Sequence, residues 1–163
     1  SLKNIIALGA GIADGLGNGD NAKAARITRG LTEITALGVA LGANPLTFSG
    51  LAGLGDLIAT CASPLSRNHY VGVELAKGRS LPDITNSMTG VGEGVSTTLV
   101  VWKLAQQLGL AMPITEGIYR VLYEGADLHR MAANLMEAEA NHELTGRKWR
   151  LFSSLRRART RPG

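Results

Sequence analysis

Four short stretches set polar side chains inside apolar surroundings, and each could carry chemistry. Leu2-Lys3-Asn4 places a lysine at the head of an apolar, Gly/Ala-rich segment. A partly desolvated lysine gives up its proton more readily and can then accept one near neutral pH. On composition alone, a lysine exposed at a chain end is the stronger reading. Gly53-Leu54-Gly55-Asp56-Leu57-Ile58 puts a carboxylate in the middle of an apolar run. If buried, Asp56 needs a lysine, an arginine or a substrate hydroxyl as partner; a structural ion pair or a cap accounts for it equally well.

Ser63-Pro64-Leu65-Ser66-Arg67-Asn68 breaks one helix and starts another. Ser66 can cap the new helix, whose free N–H groups attract anions. Arg67 adds a planar fork of donors suited to phosphate, and Asn68 can both donate and accept. An ordinary cap with exposed polar neighbours is the competing reading. The fourth stretch, Gly90-Val91-Gly92-Glu93-Gly94, lacks the strand–turn–helix setting of a dinucleotide fingerprint. Glu93 would repel a phosphate, so a ribose or amide contact is its functional reading and a helix-entry turn the plain one.

Other groups point nowhere. His69, His129 and His142 lack metal-ligand spacing and Cys61 is the single cysteine, so no metal site and no internal disulfide are expected. The glycines from Gly9 to Gly19 lack the lysine-serine ending of a phosphate loop.

The elements that position these residues read as helices. Residues 2–16 suit a buried helix, followed by a glycine-rich loop to Asp20, with Asp20 or Asn21 as the next cap. Ile27, Leu31, Ile34, Leu37 and Leu41 make a helical stripe that ends near Gly42. Pro45 opens a short turn at the favoured first position. Further helices are expected over 51–61, 66–77 and 93–108, with a short helix or turn over 81–88. One begins at Pro113, and Asp127 caps a last one with Leu128, Met131 and Leu135 inward. Alternation at period two is missing, so the fold should be all-α, with seven to nine helices over residues 1–142.

The net charge of +4 misleads. Residues 147–163 hold seven of the 17 basic residues and no acidic one, which leaves 10 basic against 13 acidic elsewhere. The positive charge belongs to a basic tail, 143–163, that reads as a solvated terminus. A nucleic-acid reader would carry its basic patch on the fold itself, so neither nucleic-acid binding nor stable membrane insertion is expected. The lone cysteine fits a reducing, cytoplasmic setting. The start at Ser1 carries no signal-peptide pattern and reads as the interior of a longer chain.

Three motifs occur in one order: LKNIIALGAGIADGLGNGDNAKAA, LAGLGDLIATCASPLSRNHYVG and GVGEGVSTT. Together they make the chain resemble the C-terminal substrate domain of bacterial-type NAD(P)-dependent glycerol-3-phosphate dehydrogenases, from Ser1 to about Glu124 and more loosely to Met136. The resemblance implies a helical domain like the C-terminal domain of 6-phosphogluconate dehydrogenase. It implies interconversion of glycerol 3-phosphate and dihydroxyacetone phosphate with NAD or NADP, feeding glycerophospholipid synthesis, in a cytoplasmic homodimer. By the same resemblance Lys3 is the proton acceptor, and Lys3, Asp56, Ser66, Arg67 and Asn68 contact the substrate. Arg67, Val91 and Glu93 lie on the cofactor side.

The resemblance also implies a Rossmann-type NAD(P) domain ahead of this one, which this sequence does not contain. The chain alone is therefore expected to be inactive. Apolar surface near residues 2–16 and 88–95 is expected to lie open in its absence. A helical self-association module and nucleic-acid binding through the tail are the alternatives.

Overall fold

Nine consecutive residues, Ile5 to Ala13, are buried in one helix, α1 (Lys3–Gly15), and the other helices are arranged around it. A helix that is apolar on every side has to be enclosed. It packs against α2 (Gly19–Ala40), α4 (Leu51–Ala62), α5 (Arg67–Ala76), α7 (Glu93–Leu108) and α8 (Pro113–Tyr123). Two short helices, α3 (Leu46–Ser49) and α6 (Leu81–Asn86), sit at the connections, and α9 follows over residues 128–141. The computed structural model describes residues 2–63, 65–90 and 92–141. Among the described residues there are nine helices and no strand, as the periodicity predicts. The basic tail lies outside the described residues.

The core has two lobes on either side of α1. Leu8, Ile12, Val71, Ile84, Val101, Ile114, Ile118 and Leu128 form the larger, and Ile6, Ala10, Ile34, Leu57 and Cys61 the smaller. The crossing of α1 and α5 needs glycine. A Cβ on Gly11 would lie 2.8 Å from the His69 carbonyl carbon, and one on Gly72 would lie 2.7 Å from the Ile12 nitrogen. The two backbones touch there with no side chain between them.

A buried carboxylate joins α2 to α8. Glu33 accepts the N–H of Ile114 at 2.6 Å, the N–H of Thr115 at 3.1 Å and the Thr115 hydroxyl at 2.9 Å. It thus serves from a distance as the N-terminal cap that α8 lacks locally. Burial pushes its carboxyl above the ordinary range, and those hydrogen bonds pull part of the way back. Asp127 caps α9 as expected, accepting the Arg130 N–H at 3.0 Å.

Several expectations need correction. Neither Asp20 nor Asn21 caps α2, because Gly17 and Gly19 take positive φ and turn the chain so tightly that the helix starts at Gly19. Asp20 falls inside the first turn, where its charge still meets the helix dipole favourably. Pro45 stands one place before the helix, and Asn44 Oδ1 accepts the Leu46 N–H at 3.0 Å. Leu41 lies past the end of α2 and is exposed, since Gly42 at φ 89° ends the helix there. The apolar surface expected to lie open near residues 2–16 and 88–95 is largely covered: Ile5 to Ala13 and Val95 are buried within this chain.

Candidate functional site

Three helix starts converge at one end of α1. Lys3 and Asn4 open α1, Ser66, Arg67 and Asn68 open α5, and Glu93 and Gly94 open α7. The join is specific. Asn68 is buried, and its Oδ1 accepts the Gly94 N–H at 2.8 Å. Asn4 Nδ2 donates to Glu93 Oε2 at 3.2 Å. Gly94 also passes so close to α1 that a Cβ there would lie 2.8 Å from the Asn4 carbonyl oxygen. Each helix start carries a partial positive charge and outward-pointing N–H groups, so their convergence favours an anion.

Ser66 caps α5, its hydroxyl accepting the His69 N–H at 3.3 Å. Arg67 is exposed and turns its guanidinium toward Gly90, where a Cβ would stand 2.8 Å from Nη1. Gly90 has φ 98°, a conformation that favours glycine, and the missing side chain leaves room for the arginine. The third and fourth sequence stretches are thus one structure. Val91 lies outside the described residues.

Lys3 Nζ pairs with the Asp56 carboxylate across 53 positions of sequence. The side chains of this pair are 43% and 56% exposed, so the carboxylate is not buried and the contact is an open ion pair. On α4 Leu57 and Cys61 turn inward and are buried, and Asp56 sits a helical step from Leu57 on the open side. The partner is a lysine, one of those the sequence allowed. Beside the pair lies a cavity of about 480 Å³, walled mostly by Leu2, Leu31, Ile34, Thr47, Phe48 and Leu57.

A larger cavity, about 680 Å³, runs between α8 and α9 past Glu116, Arg120, Asp127 and Arg130. Its most intimate charged contact is the Glu116–Arg120 pair within α8. Chemistry therefore places the candidate site at the α1, α5 and α7 starts rather than in this larger hollow. No group of three or more His, Cys, Asp or Glu residues that could hold a metal is found among the described residues. No helix among them is long and apolar enough to cross a membrane.

Lys3, Asp56, Ser66, Arg67, Asn68 and Glu93 all come to this end of the fold. Asn4 belongs with them and was not singled out; its one signal was its place directly after Lys3. Asp14 was missed too. It lies at the far end of α1 and meets His69, the residue after Asn68.

Residues 1–133 match the family described as NAD-dependent glycerol-3-phosphate dehydrogenase C-terminus. A glycerol-3-phosphate dehydrogenase [NAD(P)+] of Dehalococcoides mccartyi is 71% identical over 161 residues, which is 99% of this chain and 45% of the relative. One from Streptococcus suis is 57% identical over 143 residues, 88% of this chain and 42% of the relative. The chain thus spans less than half the length of these relatives. The crystal structure of glycerol-3-phosphate dehydrogenase from Coxiella burnetii superposes with a TM-score of 0.80 at 41% identity, over 83% of this chain and 42% of that one.

Proposed function

This chain belongs to the family of NAD-dependent glycerol-3-phosphate dehydrogenase C-terminal domains, and from that premise we propose that it binds glycerol 3-phosphate and dihydroxyacetone phosphate for their interconversion. The observation that carries the reading is the meeting of three helix starts beside Arg67, within one end of the fold from the Lys3–Asp56 pair. The Ser66-capped start of α5 and the Arg67 guanidinium hold the phosphate. Asn68 fixes that turn against α7 through Gly94. The anchored phosphate orients the carbon that reacts.

Lys3 handles the proton. In the reducing direction its ammonium donates to the carbonyl oxygen as that oxygen gains charge; in the oxidising direction its amine takes the hydroxyl proton. Asp56 aims the lysine and limits its rotamers. NAD or NADP, when bound, supplies the redox chemistry. Fit to a dinucleotide rests on the open backbone at Gly90, on Arg67 beside it and on Glu93, whose carboxylate suits a ribose hydroxyl. Most of the cofactor would be held by a Rossmann-type domain outside residues 1–142, in a cytoplasmic homodimer, as the family resemblance implies.

Two measurements test this. In the full-length enzyme, Lys3→Met should lower kcat by about a hundredfold to ten-thousandfold with little change in KM. In the chain itself, glycerol 3-phosphate should shift the Arg67, Asn68 and Gly94 amide resonances, whereas glycerol should not. Unchanged kcat in Lys3→Met, or equal response to glycerol, would refute the assignment.

A further inference from the structure

Resting on the phosphate-binding reading, we propose that Asp14 is a positioning residue for the Arg67–Asn68 turn, acting through His69 and Lys23. The Asp14 Oδ2 atom lies 2.7 Å from His69 Nε2, and Lys23 Nζ donates to the same oxygen at 2.7 Å. The three side chains come from three helices, α5, α1 and α2. His69 and Lys23 are mostly covered, at 13% and 19% exposure, and Asp14 is one-third exposed. Burial pushes the Asp14 carboxyl up, but the hydrogen bonds from Lys23 and His69 outweigh it and hold the group below its ordinary range.

The contact bears on how α1 and α5 meet. Their backbones touch at Gly11 and Gly72. At the glycines themselves no side chain interlocks, so the hold on rotation there falls to the side chains around them: Val71 packed with Leu8 and Ile12, Asn68 on Gly94, and Asp14 on His69. Asp14 and His69 supply a lock at the end of α5 that bears the phosphate-binding residues. Arg67 and His69 are two positions apart, so at 3.6 residues per turn they leave α5 on nearly opposite sides. Any rotation released at His69 therefore reaches Arg67 directly. With side chains about 5–6 Å from the helix axis, a turn of roughly 10° moves the guanidinium by about 1 Å. A misplacement of that size can cost up to about a hundredfold in function.

The test titrates inorganic phosphate into the 163-residue chain and follows the Arg67 and Gly94 amides by NMR. Asp14→Ala should weaken phosphate binding by about tenfold, and Asp14→Asn, which keeps an acceptor, by less. On an Arg67→Ala background, Asp14→Ala should add nothing. In the full-length enzyme Asp14→Ala should raise KM for dihydroxyacetone phosphate more than it lowers kcat, and leave turnover of unphosphorylated dihydroxyacetone unchanged. Wild-type affinity in Asp14→Ala, or an equal further loss on the Arg67→Ala background, overturns the proposal. If Asp14→Ala does not fold, His69→Gln carries the same expectations. Failure of the unmutated chain to bind phosphate would instead bring down the phosphate-site reading, and the proposal with it.

Discussion

Replacing Gly11 by alanine tests the geometry on which the site depends. The new Cβ would lie 2.8 Å from the His69 carbonyl carbon, where about 3.5–4 Å is the comfortable separation. Backbone lies on both sides, so no rotamer change relieves the clash, and α5 has to move out by roughly 1 Å. A gap of that size forfeits a quarter to a half of the dispersion attraction across it. Leu8, Ile12 and Val71 line the crossing and are buried. Burial of each is worth about 1.5–3 kcal/mol, so the loss comes to about 1–4 kcal/mol. Alanine returns up to about 1 kcal/mol in helix propensity. The net expectation is destabilisation by about 1–3 kcal/mol.

Urea unfolding followed by far-UV circular dichroism reads this directly. With a slope of about 1–3 kcal/mol per molar urea, the midpoint should fall by about 0.5–1.5 M. Gly55→Ala is the control. Gly55 is also helical, but a Cβ there meets nothing within 4 Å, so it should stabilise by about 0.5–1 kcal/mol. If Gly11→Ala unfolds within about 0.5 kcal/mol of the unmutated chain, the close α1–α5 crossing is wrong, and with it the lever from His69 to Arg67.

Two further outcomes follow from buried groups. Glu33→Ala strips the acceptor from the Ile114 and Thr115 N–H groups and should destabilise by about 3 kcal/mol, at roughly 1–3 per orphaned donor. Because burial raises the folded-state pKa of Glu33 above 4.5, the part of its contribution linked to proton uptake is full below pH 4.5 and is lost as pH rises through the folded value. Stability relative to Glu33→Gln should accordingly fall as pH rises from about 4, and a rise across that window would contradict the burial argument. Cys61 is fully buried and its thiol is pushed up to about 11, so iodoacetamide at pH 8 should modify it only at the rate of global unfolding. Fast labelling of the folded chain would show that the smaller core lobe is open.

The helices were legible because their boundaries are written locally. Gly42, Gly78 and Gly109 end α2, α5 and α7 with positive φ, and Ser66, Pro113 and Asp127 open α5, α8 and α9. The candidate site was legible only as separate pieces. Asn4 meets Glu93 across 89 positions, Asn68 meets Gly94 across 26, and Asp14 meets His69 across 55. Nothing within one helix announces such pairs, since periodicity reports which face turns inward and not what it meets. Asp56 shows the same limit: an apolar run hid the fact that one polar residue could sit on its open side. Yet a signal for convergence was present in the type of residue rather than its period. Gly11 and Gly72 interrupt buried faces where alanine or leucine would serve a helix better. Glycine there makes sense if a second backbone occupies the space a side chain would fill, which is how α5 comes close enough to bring Arg67 to the open end of α1.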